Sequence, residues 1–272
     1  MVNEFSVHSD FLIHWTGEDI DRKHDPNWYT KRSSKTKQEC TKAYVDRLES
    51  ILEYGLWMTV PEKREIQQEK NYRRTPRTCF TELKLSESRS HADKYGRLGI
   101  GVKRPFVIKR MGRPVLYYDT NIARTDWFRK QCYADLEDKS LLKFFKPMNS
   151  KKKRINYDLF GESEWRIIFN KVLLSRNYKS VVNPRNRNQS KHFKYYETLS
   201  KRSKQKLKYL LPLDSWLAMI IYPSLQVKNK AQSNGGIVSL IKKIKGDKND
   251  PVYKIEGGNW PIELCLDDCV HF

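Results

Sequence analysis

The stretch CTKAYVDRLESILEYGLWMTV, residues 40–60, predicts a helix that turns directly into a short strand. Its apolar residues recur at the three- and four-residue spacing of a helix that buries one face. Thr41 can cap the start of this helix, and Gly55 can end it, because glycine accepts the left-handed backbone that follows many helices. The strand then occupies residues 56–60. This helix–strand unit is the starting point for the rest of the fold.

Short strand-like runs bounded by turns surround this unit on both sides. Further strands are predicted at residues 10–15, 78–81, 106–108 paired with 114–118, 164–169, 216–222 and 252–264, and further helices at 82–95, 122–145 and 233–245. Few helices between many short strands favour an α+β fold with bent, mostly antiparallel sheets and flanking helices. We interpret residues 1–272 as a single domain. A basic insertion lies around residues 170–210. The sequence does not show whether this insertion adopts an ordered structure.

Composition excludes several classes of protein. The 12% aromatic content argues against a disordered chain. The apolar runs fall far short of the roughly 20 residues that a spanning helix needs, and no basic leader precedes an apolar stretch. Five scattered cysteines are typical of reduced thiols. We therefore expect a cytoplasmic globular protein without membrane contact.

Common catalytic and cofactor motifs are absent from the sequence. There is no Walker loop, dinucleotide-binding fingerprint or nucleophile elbow. Cys265, Cys269 and His271 provide three candidate metal ligands, but a structural zinc site needs four. We therefore expect no bound metal.

The positive charge is concentrated in one part of the chain. The net charge is +21, and residues 142–210 contain 19 Lys or Arg against four acids. Aromatic residues are interleaved with these cations, a mixture that suits single-stranded or flexible nucleic acid. A solvated basic surface explains the same pattern, and the sequence does not choose between them. The candidate nucleic-acid-binding residues are Lys151, Lys152, Lys153, Arg154, Lys201 and Arg202.

Three residues in a fixed order form the candidate chemical site. His14 closes the first strand, Phe80 lies in a later strand, and Glu164 opens a strand near the basic segment. Taken singly, each is more typical of a structural residue. Their order along the chain makes the set informative.

Several segments resemble the AbiGi family of abortive phage-resistance proteins. The resemblance implies a role in bacterial defence by abortive infection, and members are commonly labelled antitoxin components of two-gene systems. The matching segments are FLIHWTG (11–17), RLESILEYGLWMT (47–59), TCFTELKLSESRSHADKYGRLGIGV (78–102), RPVLYY (113–118), ESEWRI (162–167) and WLAMIIYPS (216–224).

The same order of residues is similar, more distantly, to ADP-ribosyltransferases of the DarT and poly(ADP-ribose) polymerase type. That resemblance implies an ADP-ribosyltransferase-like fold with NAD as substrate. His14 and Thr16 would hold the ribose and carboxamide of NAD, and Phe80 or Tyr95 would stack on nicotinamide. Glu164 would orient the acceptor and stabilise the oxocarbenium ion, as N-glycosidic cleavage requires.

Two functions from different classes follow. The first is an anti-phage, NAD-dependent ADP-ribosyltransferase or NAD hydrolase acting on nucleic acid or on a protein bound to it. The second is a catalytically inert antitoxin or regulator that binds its partner toxin or nucleic acid. The sequence leaves open whether the protein is an enzyme.

Overall fold

The computed structural model describes residues 10–23, 29, 35–61, 75–82, 85–119, 143–148, 163–175, 181–247 and 259–271. The strands in these ranges are β1 (Phe11–Thr16), β2 (Leu56–Thr59), β3 (Arg77–Thr81), β4 (Leu98–Lys103), β5 (Arg113–Pro114), β6 (Leu116–Asp119), β7 (Phe145–Met148), β8 (Glu164–Ile168), β9 (Leu207–Leu211), β10 (Leu217–Tyr222) and β11 (Ile262–Cys265). The helices are α1 (Glu18–Lys23), α2 (Lys35–Tyr54), α3 (Ser88–Tyr95), α4 (Arg104–Lys109), α5 (Val172–Ser175), α6 (Ser190–Thr198), α7 (Lys201–Lys206), α8 (Leu225–Gln232) and α9 (Gly235–Lys245). Single 3-10 turns lie at Leu85–Glu87 and Asp268–His271.

A large mixed sheet organises the chain. Its strands follow the order β11-β10-β4-β1-β3-β2-β9, and β8 branches from β3 and also pairs with β5. The pairs in this sheet are antiparallel except the parallel pair β10–β11. A second, two-stranded sheet joins β6 to β7 in parallel. The α+β class with mostly antiparallel strands is thereby confirmed.

The alternation of side chains along β1 divides the interior into two clusters. Leu12 belongs to the main core, where Leu48 and other residues on one face of α2 pack. Ile13 and Trp15 point the other way and join a smaller cluster with Ala92 of α3. Since neighbouring residues of a strand face opposite sides of a sheet, β1 is covered on both faces.

Two details of the predicted elements are wrong. The run 106–108 is part of helix α4, not a strand, because Pro105 lies in the first turn, where its fixed φ favours a helix. A run of three apolar residues does not distinguish the two structures. Thr41 lies inside α2 rather than at its start, and its Oγ1 donates to the Lys37 carbonyl.

Other predicted elements match or fall partly outside the described residues. Gly55 ends α2 with φ +105°, as predicted. The predicted helix 122–145 lies almost wholly outside the described ranges, as does most of the predicted strand 252–264.

Within the basic segment 170–210, the described residues form α5, α6, α7 and the start of β9. Strand β9 pairs antiparallel with β2, and a bridge joins Val182 to Leu210. This segment therefore packs at one end of the main sheet. None of the described helices is long and apolar enough to cross a membrane.

Candidate functional site

His14 lies in β1, near the middle of the main sheet. Its Nδ1 is 2.8 Å from the Cys79 carbonyl oxygen on β3, and its ring centroid is 5.8 Å from that of Phe80. Burial lowers the pKa of His14 below its ordinary value; the bond to Cys79 opposes this shift, and the charge of Arg47 adds to it. The imidazole is therefore neutral near pH 7, with Nδ1–H donating to the carbonyl and Nε2 left as an acceptor.

Thr16 shares the face of β1 that carries His14. Its Oγ1 accepts a hydrogen bond from Arg47 Nη1 at 3.1 Å. Arg47 Nη2 is also 2.8 Å from Asp19 Oδ2, and this ion pair joins α2 to α1. The hydroxyl predicted to hold NAD therefore contacts an arginine that already has a carboxylate partner.

The two aromatic candidates lie on different sides of β1. Phe80 is 1% exposed and belongs to the main core, where its ring packs against Phe106 at 6.2 Å between centroids. Tyr95 ends α3, the helix that packs on the Ile13 face, and it is 37% exposed. A molecule that stacked on Phe80 would have to displace core side chains.

Glu164 is held by two cations at the start of β8. Arg166 Nε lies 2.7 Å from its Oε1, and Lys146 Nζ lies 3.0 Å from its Oε2. Although burial would raise the pKa of Glu164, the hydrogen bonds and charge of Arg166, the charge of Lys146 and a hydrogen bond from Cys79 lower it to about 2. The carboxylate is therefore ionised and already bonded on both oxygens.

The strand registers put His14 and Glu164 on opposite faces of the sheet. Ile13 is the cross-strand partner of Thr81, and Thr81 is the partner of Glu164. Directly paired residues project to the same face, whereas sequential residues alternate. Glu164 therefore shares the Ile13 face, and His14 lies on the other. A single molecule bound at either face would contact only one of the two.

The candidate nucleic-acid residues fall into two groups. Lys201 and Arg202 begin α7, and both are exposed. The cluster Lys151, Lys152, Lys153 and Arg154 lies outside the described residues. Throughout the described ranges, no three His, Cys, Asp or Glu residues are grouped so that they could hold a metal ion.

Sequence reasoning missed the residues that fix Glu164. Arg166 is 1% exposed, and its Nη1 donates to the Lys143 carbonyl at 2.7 Å. This contact ties β8 to the segment that contains Lys146. A signal was present for Arg166, because residues two apart on a strand project to the same face. Lys146 gave no comparable signal, because it lies on β7 of the second sheet, and its contact with Glu164 depends on how the two sheets pack.

We expect Glu164 to make the fold sensitive to acid. Its pKa is about 2 in the fold against an ordinary value of 4.5, so the unfolded chain binds the proton first as the pH falls. The stabilisation is complete above about pH 4.5 and is lost towards pH 2, a change of roughly 3 kcal/mol. Urea unfolding across this range tests it, with Glu164→Gln as the control that lacks the titrating group. An equal acid dependence in both proteins would contradict the prediction.

Comparison with known protein families identifies a match over the middle of the chain. A family model described as "Putative abortive phage resistance protein AbiGi, antitoxin" matches residues 56–223, more than half of the chain. The matched range includes Phe80, Tyr95 and Glu164 but not His14. No curated protein and no solved structure matches the chain. The resemblance to ADP-ribosyltransferases stays a prediction.

Proposed function

Because the chain belongs to the AbiGi family of abortive phage resistance proteins, we propose that it is the antitoxin of a two-gene system and acts by binding its partner toxin. In this proposal the protein neutralises the toxin by contact and turns over no substrate of its own. The family description names an antitoxin, and the arrangement of the predicted catalytic residues supports the same conclusion.

The state of Glu164 is the observation that carries this proposal. A catalytic carboxylate in glycosyl transfer has to face the developing positive charge of the substrate. Glu164 instead bonds Arg166 at 2.7 Å and Lys146 at 3.0 Å, on the sheet face opposite His14. We therefore assign Glu164 a structural role, in which it ties β8 to the segment that contains Lys146.

The NAD-dependent transferase is the second candidate function. One observation favours it: His14, Phe80 and Glu164 lie on the neighbouring strands β1, β3 and β8. In that function His14 and Thr16 would bind NAD, and Glu164 would need to exchange its two cations for the substrate. The two functions therefore make opposite predictions for substitutions at His14 and Glu164.

Co-expression with the toxin of the same two-gene system tests the antitoxin proposal. We expect the wild-type chain to relieve growth arrest by the toxin and to co-purify with it. Glu164→Gln and His14→Gln should do so equally well in cells, provided that thermal melts show both variants folded. The purified wild type should consume no NAD, with or without nucleic acid, because the predicted catalytic groups do not face one substrate.

Two results would overturn the proposal. The first is NAD consumption by the wild type that both substitutions abolish while the variants stay folded, which would establish the transferase. The second is a wild-type chain that neither relieves toxin arrest nor binds the toxin.

A further inference from the structure

Exposed cations are concentrated on α6, α7 and the loop that precedes them. Residues 185–206 contain eight Lys or Arg and one acid, Glu197. Seven of the cations are exposed, and we call these seven the basic helical face: Arg185, Arg187, Lys191, Lys194, Lys201, Arg202 and Lys206. Their charge is concentrated on one short segment, which contains a single carboxylate, and Glu53 of α2 lies 3.4 Å from Lys191 Nζ.

Two tyrosines of this segment, Tyr195 and Tyr196, pack against the rest of the protein, whereas the half-buried Phe193 lies beside Arg187 of the basic helical face. The Tyr195 ring stacks on Tyr54 of α2 with centroids 4.1 Å apart, and its hydroxyl accepts a hydrogen bond from Trp57 Nε1 at 3.1 Å. Tyr196 and Leu199 pack on the same apolar cluster as Trp57. These residues recur at helical spacing, so one side of α6 anchors the segment to the sheet and the other carries the cations.

The backbone around these helices is fixed by further contacts. The bridge between Val182 and Leu210 closes the segment at its base. Arg185 Nη2 donates to the Leu207 carbonyl at 3.0 Å. Ser200 caps α7 by accepting a hydrogen bond from the Ser203 backbone. The cations are therefore presented on a preformed surface.

We infer that the basic helical face binds double-stranded nucleic acid through its phosphate backbone. Lysine and arginine neutralise phosphates and release counterions, and a duplex offers about one charge per 1.7 Å of its axis. The exposed Asn, Gln, Ser and Thr residues between positions 185 and 206 add hydrogen-bond donors of the kind that contact phosphates. This inference goes beyond the proposed antitoxin role and does not depend on it.

The inward packing of the tyrosines favours a duplex over a single strand. Proteins that bind single strands without sequence preference stack bases on accessible aromatic rings. Tyr195 already stacks on Tyr54, and Tyr196 is half-buried against the sheet. These two tyrosines of the interleaved aromatic pattern therefore anchor the segment and do not offer their rings to bases.

The composition of the face also favours nucleic acid over a protein partner. Every exposed residue between positions 185 and 206 is polar or charged. Protein–protein interfaces depend on apolar or aromatic anchors at their centre and are depleted in lysine there. A surface with many cations and no exposed apolar anchor matches a phosphate backbone better.

Fluorescence anisotropy with a short labelled DNA duplex of mixed sequence tests the inference. The test variant replaces Lys194, Lys201 and Arg202 together by alanine. The control replaces Lys230, Lys242 and Lys243, three exposed lysines of α8 and α9, so that both variants lose the same charge. We expect the test variant to bind the duplex at least about tenfold more weakly, and its slope of log affinity against log salt to fall by about 3. The control should stay within about threefold of wild type.

Every other outcome overturns the inference. If the wild-type protein does not bind the duplex at low salt, the basic helical face does not bind double-stranded nucleic acid. If the control variant loses as much affinity for the duplex as the test variant, binding depends on net charge and not on this face. If the wild type binds a single strand of the same sequence more tightly than the duplex, the ligand of the face is single-stranded nucleic acid. If only capture of the toxin is lost in the test variant, the face binds a protein. Circular dichroism confirms that both variants are folded before binding is compared.

Discussion

Replacing Arg166 by leucine is expected to lower the free energy of unfolding by about 3–5 kcal/mol, because it leaves a buried carboxylate without its main partner. Arg166 is 1% exposed, and its guanidinium bonds Glu164 through Nε at 2.7 Å and Nη2 at 3.2 Å. The same side chain holds the Lys143 carbonyl at 2.7 Å. Lys146 keeps one contact to Glu164, so we expect the lower end of this range.

A double-mutant cycle in urea measures this coupling. The four proteins are wild type, Arg166→Leu, Glu164→Gln and the double variant. We expect the double variant to be clearly more stable than the sum of the single losses predicts, because it leaves no buried charge unpaired. A loss below about 1 kcal/mol in Arg166→Leu would place the pair among weak surface ion pairs and contradict the prediction.

The result also bears on function. A coupling of several kcal/mol between Arg166 and Glu164 means that Glu164 stabilises the fold. A catalytic carboxylate that exchanged its partners for substrate would show weak coupling and a strong effect on turnover. The double-mutant cycle and the measurement of NAD consumption therefore test the role of Glu164 independently.

Replacing Gly96 by alanine is expected to destabilise the protein by roughly 4 kcal/mol, through backbone strain and overpacking together. Gly96 follows α3 with φ +106°, a conformation that side chains other than glycine rarely adopt. A Cβ there would lie 2.2 Å from the Glu18 backbone nitrogen and 2.4 Å from the Thr16 carbonyl carbon. These are backbone atoms of the loop that follows β1, so they cannot move aside as a flexible side chain would.

Thermal unfolding measures this loss, and Gly235→Ala is the matched control. Gly235 lies at the start of α9, and a Cβ there would meet nothing within 4 Å. We expect the control to melt at or slightly above the wild-type temperature, because alanine favours the helix by up to about 1 kcal/mol. If Gly96→Ala melts at the same temperature as the wild type, the backbone after β1 can shift to make room for the added Cβ, and the prediction is contradicted.

Much of the local structure follows from residue patterns that depend on near neighbours in the chain. The spacing of Tyr44, Leu48 and Ile51 predicts α2, and the alternation after Glu164 predicts β8. Gly55 marks the end of α2 because its conformation is required locally. Residues 106–108 form part of a helix and not the predicted strand, because three apolar residues fit a buried strand and a buried helical turn equally well.

The sequence predicts which residues form the candidate site and their order along the chain, but not the sheet face to which each side chain points. His14, Phe80 and Glu164 do lie on three strands that neighbour each other in the sheet. Which face each one points to depends on the pairing register, and a shift of one residue reverses it. The pairing of Ile13 with Thr81, and of Thr81 with Glu164, separates His14 from Glu164.

The α+β class, the family resemblance and the concentration of charge between residues 142 and 210 follow from the residue order alone, because they depend on composition and local spacing. The binding of Glu164 by Arg166 and Lys146, and the packing of Tyr195 on Tyr54 and Trp57, are visible only in the folded structure. Lys146 lies on β7 of the second sheet, and Tyr54 and Trp57 lie on elements far from Tyr195 in the chain, so these contacts form only when the strands and helices pack. Side-chain direction and partner choice at the candidate site and around the basic helical face therefore come from strand register and packing.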